Sequence, residues 1–415
     1  MIPLSKQTIT DKAIDLVGNV LRSGWWTMGK VTKELEEKFA ARYEGMYPVA
    51  VSSCSMGLWL SVKALASSMG YEGEKWGAIV PALTFCSTVN AVIHAGGAPV
   101  MVDVDPASQC IDTDFVKELI KGWKKKNDFS LAGLVIVHFG GQSCNMNGVV
   151  EAILSHEKRR EFFLVEDCAH AVDTIYRTRW VNAKWAGWWG HASCFSFNPI
   201  KNLAAPEMGM VIARKEEIAE KLRSLRIHGM SCSAFDRMNK PGQYLIEDLG
   251  YKANCTDVEA AVALAQMDNQ ELNWRRRDWI WGRYDDAFRD LKKRGLFNGL
   301  AGSDLVVEEF NVRHGRHLYT VLLGNRDDFV RRMLGKEIYC GIHYRPVHLH
   351  PYYARRYGWR EGDFPVSEWI GKHTLSLPLG PGMTDADVSC VLDAVEEVLK
   401  EGDYELKERW DGKTF

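Results

Sequence analysis

The chain has 415 residues, 46% of them hydrophobic, and a formal net charge of -2. That length supports two or three domains of roughly 150 residues, and the balanced charge leaves no basic footprint for a nucleic acid. No uncharged apolar run approaches the ~18 residues of a membrane span, and the N-terminus lacks a basic stretch followed by an apolar one. The 10 cysteines are scattered singly, with no Cys-x-x-Cys pair. The expectation is a cytoplasmic protein with reduced thiols, no metal centre, and no nucleic-acid or membrane partner.

In chain order, a helix is expected over residues 11–22, then the turn SGWWTMG, then a helix over 31–43 with Val31, Leu35 and Phe39 on one face. A short apolar strand over 48–51 runs into Ser52-Ser53-Cys54-Ser55-Met56-Gly57 and a helix through Ala64. Strand, small residues and helix start form an anion cradle, because the first amides of a helix lack partners and its dipole favours a phosphate. An ordinary N-cap is the plainer alternative. Strands over 78–81 and 99–104, the segment LAGLVIVHFGG and a helix after Asn145 continue the alternation. Residues 49–214 therefore read as one large α/β domain on a mostly parallel sheet.

The chemistry concentrates next. An apolar run over 162–165 ends in Glu166-Asp167, and a second over 192–197 closes on Asn198-Pro199 and leads to Lys201. A carboxylate and an amine are thus presented at two strand ends, where ligands of open α/β sheets collect. One chemistry uses both. Pyridoxal phosphate is held as a Schiff base by a lysine, while a carboxylate keeps its ring nitrogen protonated so that the ring accepts electrons. The Trp-rich link over 180–191 reads as packing at a subunit contact or as the wall of a substrate groove.

A charged helix over 215–227 and an irregular loop over 230–247 follow. Thr256 and Glu259 then make a capping box, opening a helix expected to run toward Asp290 and bridge two domains. Beyond residue 291, strands such as 318–323 alternate with helices such as 385–399. Three histidines within eight residues, His343, His348 and His350, lack a convergent acid, so a substrate cleft lined or supported by His343 and His348 is expected in place of a metal.

The segments VEDCAHA and SFNPIKNL resemble the sugar aminotransferases of the DegT/DnrJ/StrS type, a branch of the aspartate aminotransferase fold. The resemblance implies a fold type I pyridoxal-phosphate enzyme, with a large domain (1–253) and a bridging helix plus smaller C-terminal α/β domain (254–415). It implies Lys201 as the Schiff-base lysine and acid/base, Asp167 as the pyridinium partner, His170 near the phenolic oxygen and Ser196 at the phosphate. By the same resemblance, Ser55 and the adjoining Met56 hold the phosphate and Phe85 stacks on the ring, with a core Phe as the alternative. Cys54 departs from the family's usual glycine. GYKANCTD is similar to the loop that completes a neighbouring subunit's phosphate site, which implies a homodimer and leaves Lys252 and Asn254 both open. The implied activity moves an amino group from an amino acid, glutamate by resemblance, to a keto sugar, and the resemblance points to a nucleotide-linked 3- or 4-keto sugar. The alternatives are a sugar dehydratase or deoxygenase, which uses a histidine in place of the lysine and is opposed by Lys201, and a non-catalytic regulator on the same fold.

Overall fold

A computed structural model describes residues 1–123, 128–157, 159–239 and 243–407. Its strands in chain order are β1 (Tyr47–Val51), β2 (Trp76–Pro81), β3 (Ala98–Val102), β4 (Ser130–Val137), β5 (Phe163–Asp167), β6 (Ile175–Tyr176), β7 (Lys184–Trp185), β8 (Ala192–Ser196), β9 (Gly209–Ala213), β10 (Leu300–Ala301), β11 (Asn311–Arg313), β12 (Tyr319–Leu322) and β13 (Thr374–Leu377). Seven of them form the central sheet, in the order β1-β9-β8-β5-β4-β2-β3. β9 runs antiparallel to its neighbours β1 and β8, and every other pairing is parallel.

The sequence accounts for both features. β4 reads SLAGLVIV and is buried at every position after its first, as a parallel strand covered on both faces must be. β9 is reversed because residues 197–208 hold no helix, and a return to the same edge in parallel needs a crossover element. Alternate residues of β9 feed opposite cores. Met210 and Ile212 join Phe39 and Phe195 on one face, while Val211 and Ala213 join Leu58 and Val49 on the other.

A third core gathers Tyr284, Phe288, Tyr319, Leu375 and Val391 around the small sheet β10-β12-β13 and the helix Asp385–Glu401. The N-terminal strap joins this unit, with Ile2 bridged to Ile338 and Leu4 accepting from the Leu379 amide at 2.8 Å.

Two expected elements differ. The Thr256–Glu259 capping box forms, but the helix it opens, Asp257–Asp268, stops at Asn269 before a second helix, Gln270–Lys293. Asn269 leaves the helical region (φ -101, ψ 3), and its side chain turns back to the Ala265 carbonyl, the local competition typical of asparagine. The first segment packs against the helices Asp11–Ser23 and Lys30–Ala40 instead of bridging. The loop expected over 230–247 contains the short helix Ala234–Asn239, and its residues 240–242 lie outside the described residues. Among the described residues no helix is long and apolar enough to cross a membrane.

Candidate active site

β1, β2, β4, β5 and β8 point the same way, so their C-terminal ends share one edge of the sheet, where a cavity of about 420 Å³ opens. β1 leads into Ser53, Cys54 and Ser55. β2 leads into Thr84, Phe85 and Ser87. β5 delivers Asp167, Ala169 and His170, and β8 delivers Ser196, Asn198 and Lys201, while His343 and Tyr344 reach in from the C-terminal part.

Asp167 is 3% exposed. Burial raises its carboxyl above the usual range, opposed by Thr88, whose hydroxyl donates to Oδ2 at 2.8 Å, and by the Ala169 amide, which donates to Oδ1 at 3.1 Å. An ionised carboxylate only accepts, so Thr88 must donate to it and Thr84 must donate to Thr88 at 2.8 Å. Its neighbour Glu166 points away and is wholly buried, taking the amides of Gly187 and Gly190 and His138 Nε2 at 2.8 Å. Adjacent strand residues face opposite sides. One acid therefore serves the cavity, and the other fixes the Trp-rich link against the sheet.

Lys201 follows a turn in which its amide donates to the Asn198 carbonyl at 2.9 Å. Its amine makes no hydrogen bond or ion pair among the described residues. Burial lowers it from the ordinary lysine range to about 8, partly offset by the nearby Asp167. A desolvated amine of this kind is free to react.

His170 is neutral, because burial pushes it well below the usual histidine range and the Lys201 charge adds to the effect. Its Nδ1 accepts from the Gly140 amide at 3.1 Å, so the proton resides on Nε2, which faces the Tyr344 hydroxyl at 3.2 Å. The His317 ring packs against that of His170 at a tilt of 38°, with centroids 4.4 Å apart, and its Nδ1 meets Asn202 Oδ1 at 3.0 Å. His343 Nδ1 contacts Ser376 Oγ at 2.9 Å.

At the far end, the helix Cys54–Ser68 opens with no acidic residue in its first turn. Ser53 caps it through the Met56 amide at 3.2 Å, and Ser55 and Ser196 line the cavity beside it. Gly209 allows this close approach, since a Cβ there would meet Cys54 N at 2.6 Å and Phe195 O at 2.8 Å. Cys54 fits as a helical residue, with its Sγ 4.0 Å from Asp167 Oδ1, so the departure from glycine leaves the cradle intact. Phe85 is 54% exposed and lies on the cavity wall, outside the core.

The cavity thus gathers Ser55, Phe85, Asp167, His170, Ser196, Lys201 and His343. Four residues lie elsewhere. His348 is fully buried, pairs with Glu368 Oε1 at 2.8 Å and does not line this cavity. Lys252 and Asn254 bond each other away from this cavity, and Met56 contributes its amide to the Ser53 cap. Thr88, Tyr344 and His317 were not assigned from the sequence. Thr88 follows Thr84 by four residues and lies in the first turn of the helix Cys86–His94, a signal visible only once that helix is known to start at the cavity.

An amine, a buried carboxylate with a hydroxyl donor, and hydroxyls at an acid-free helix N-terminus suit a phosphorylated pyridine aldehyde, and a cavity of this size would hold one. The DegT/DnrJ/EryC1/StrS aminotransferase family model matches residues 7–396. The chain belongs to this family. Members are pyridoxal-phosphate-dependent sugar aminotransferases, which makes pyridoxal phosphate the cofactor here. Spore coat polysaccharide biosynthesis protein SpsC of Bacillus subtilis (strain 168) is 37% identical over 411 residues, covering 97% of this chain and 98% of its own. The aminotransferase TlmJ of Streptoalloteichus hindustanus is 26% identical, with a TM-score of 0.80 over 97% of this chain and 99% of its own. In fold the chain also matches Streptococcus pneumoniae Spr1654 in its PMP form, with a TM-score of 0.82 at 23% identity over 97% of this chain and 100% of the other.

Proposed function

We propose that the protein transfers an amino group from glutamate to a nucleotide-linked 3- or 4-keto sugar, working as a homodimer in which Lys252 or Asn254 of one chain completes the phosphate subsite of the other. The observation that carries the reading is the unpaired, buried amine of Lys201 in the same cavity as the buried carboxylate of Asp167. Lys252 is exposed and Asn254 half-buried, and among the described residues their side chains bond only each other and the Cys255 carbonyl, which supports their use by a second chain. The name of SpsC supports a sugar destined for a polysaccharide.

Bound pyridoxal phosphate supplies an electron sink for the carbanion formed at the donor's α-carbon. The chain's own residues do the rest. Asp167, ionised with help from Thr88 and Ala169, would hold the ring nitrogen protonated. Lys201, once its amine is free and neutral, would take the proton from the donor's α-carbon and deliver it to the cofactor's C4′, a role suited to a lysine near 8. His170 offers an Nε2–H donor, Phe85 a flat apolar cover, and the helix opening at Cys54 a cradle for the phosphate. His343 and Tyr344 stand where the sugar would enter.

The test is incubation of the holoenzyme with isotope-labelled glutamate and a panel of nucleotide-linked keto sugars. Labelled amino sugar is expected from at least one acceptor, and none from Lys201→Ala. Label transfer only to simple keto acids would sink the sugar assignment.

A further inference from the structure

The N-terminal strap passes between the C-terminal unit and the active-site lysine. Its backbone is fixed on the C-terminal side: the Ile2 amide donates to Glu337 O, and Leu4 O and Lys6 O accept from the amides of Leu379 and Gly382, each of the three at 2.8 Å. Room for it is built in, because a Cβ on Gly380 would meet Lys6 N at 2.5 Å and one on Gly382 would meet Gln7 O at 2.8 Å. On the other side, Gln7 Nε2 donates to the carbonyl of Lys201 at 3.1 Å and to Ser5 Oγ at 3.1 Å. Of the two ends of the Gln7 amide only the NH2 can donate to a carbonyl oxygen, so its orientation is fixed by its partner.

Ser5 Oγ also receives Arg277 Nη2 at 3.4 Å. Arg277 is fully buried, pairs with no carboxylate among the described residues, and spends Nη1 on the Leu379 carbonyl at 3.0 Å. A buried guanidinium without a counter-ion is costly unless its surroundings hold it in place. The path Arg277, Ser5, Gln7, Lys201 therefore ties the helix Gln270–Lys293 and the C-terminal unit to the backbone of the reactive lysine. The amide of that same residue is held by Asn198, and the next residue, Asn202, is locked by Asp173 Oδ2 at 2.9 Å and by the Gly315 carbonyl. Gln7 is the anchor of this turn that comes from the strap.

We propose that Gln7 is a positioning residue for Lys201, holding the lysine's backbone from the N-terminal strap so that its amine stays inside the cavity. Gln7 touches neither the amine nor the ring site; it acts through the Lys201 carbonyl. The proposal rests on Lys201 being the reactive lysine, and not on the identity of either substrate.

The experiment compares wild type with Gln7→Leu, Ser5→Ala and Lys6→Ala. In apoprotein, the pH midpoint for acylation of Lys201 by acetic anhydride is read by peptide mass spectrometry. The rate at which added pyridoxal phosphate attaches to Lys201 is then read by borohydride trapping. Gln7→Leu should raise the midpoint toward that of an ordinary lysine and slow attachment roughly tenfold, as losing a buried amide bond to a positioned group can. Ser5→Ala should give a smaller change in the same direction, and Lys6→Ala, whose side chain faces Asp387 on the surface, none. A folded Gln7→Leu protein with a wild-type midpoint and attachment rate overturns the proposal. If Gln7→Leu fails to fold, wild-type values for Ser5→Ala overturn it equally. Trapping at a lysine other than 201 would instead remove the functional reading beneath it.

Discussion

Thr88→Val probes the carboxylate on which the proposed ring chemistry depends. The substitution keeps the shape of a fully buried side chain while removing the hydroxyl that donates to Asp167 Oδ2 at 2.8 Å. A hydrogen bond to a charged group is worth about 1.5–3 kcal/mol, which is roughly 10- to 100-fold in any equilibrium that needs Asp167 ionised. Burial already raises this carboxyl, and Thr88 is the foremost influence holding it down, so its removal raises it further. The sign for stability follows. A carboxyl raised in the folded state keeps its proton there after the unfolded chain has lost it, so apoprotein stability falls as pH rises from the unfolded value to the folded one, and the variant widens that window. Two assays apply: affinity of apoprotein for pyridoxal phosphate by absorbance titration, and the acid limb of kcat/KM against pH. The expected result is at least tenfold weaker binding and an acid limb displaced to higher pH. Unchanged binding together with an unmoved acid limb would refute the assignment of Asp167 as the ring partner.

Other outcomes test the remaining walls of the site. Lys201→Met should abolish transamination yet raise the apoprotein's thermal midpoint at pH 7, because it removes a buried amine held near 8. The wild type's own stability should climb between pH 8 and the ordinary lysine range as the unfolded chain releases the proton that the folded chain has already lost. Gly209→Ala should destabilise by about 1–3 kcal/mol in denaturant titration and weaken cofactor binding, since its Cβ meets backbone atoms of Ser53 and Cys54 that cannot move without shifting the helix start. Tyr344→Phe removes one neutral hydrogen bond to His170 and should cost about fivefold in kcat/KM with the cofactor spectrum unchanged.

Strand ends were the most legible part of this chain. Continuous apolar runs that stop at Asp167 and at Ser196 place both groups at one sheet edge, because parallel strands leave their C-termini together, and the structure gathers Lys201, Asp167, His170 and Phe85 in one cavity on that account. Helix caps with side-chain partners were legible too, as Thr256 and Glu259 show. The reversal of β9 was not, since its apolar text reads the same in either direction. Neither was the break at Asn269, where an asparagine tolerated inside many helices instead ends one.

What stayed hidden in the site has a common cause. Thr88, His317 and Gln7 contact Asp167, His170 and Lys201 from 79, 147 and 194 positions away along the chain, through two hydrogen bonds and one ring contact. No periodicity links such pairs, and a threonine, a histidine or a glutamine read alone is ordinary. His348 is the converse case: it lies close in sequence to His343 and Tyr344, whereas its ring meets Glu368 and does not line the cavity. The groups that deliver chemistry sit at strand ends and announce themselves, while the groups that tune them sit wherever the fold brings a donor within 3 Å or so of a buried acceptor. Tuning of Lys201 is the clearest instance, for its amine is set by burial together with the charges of Asp167 and Arg277, two segments that only the fold brings to one place.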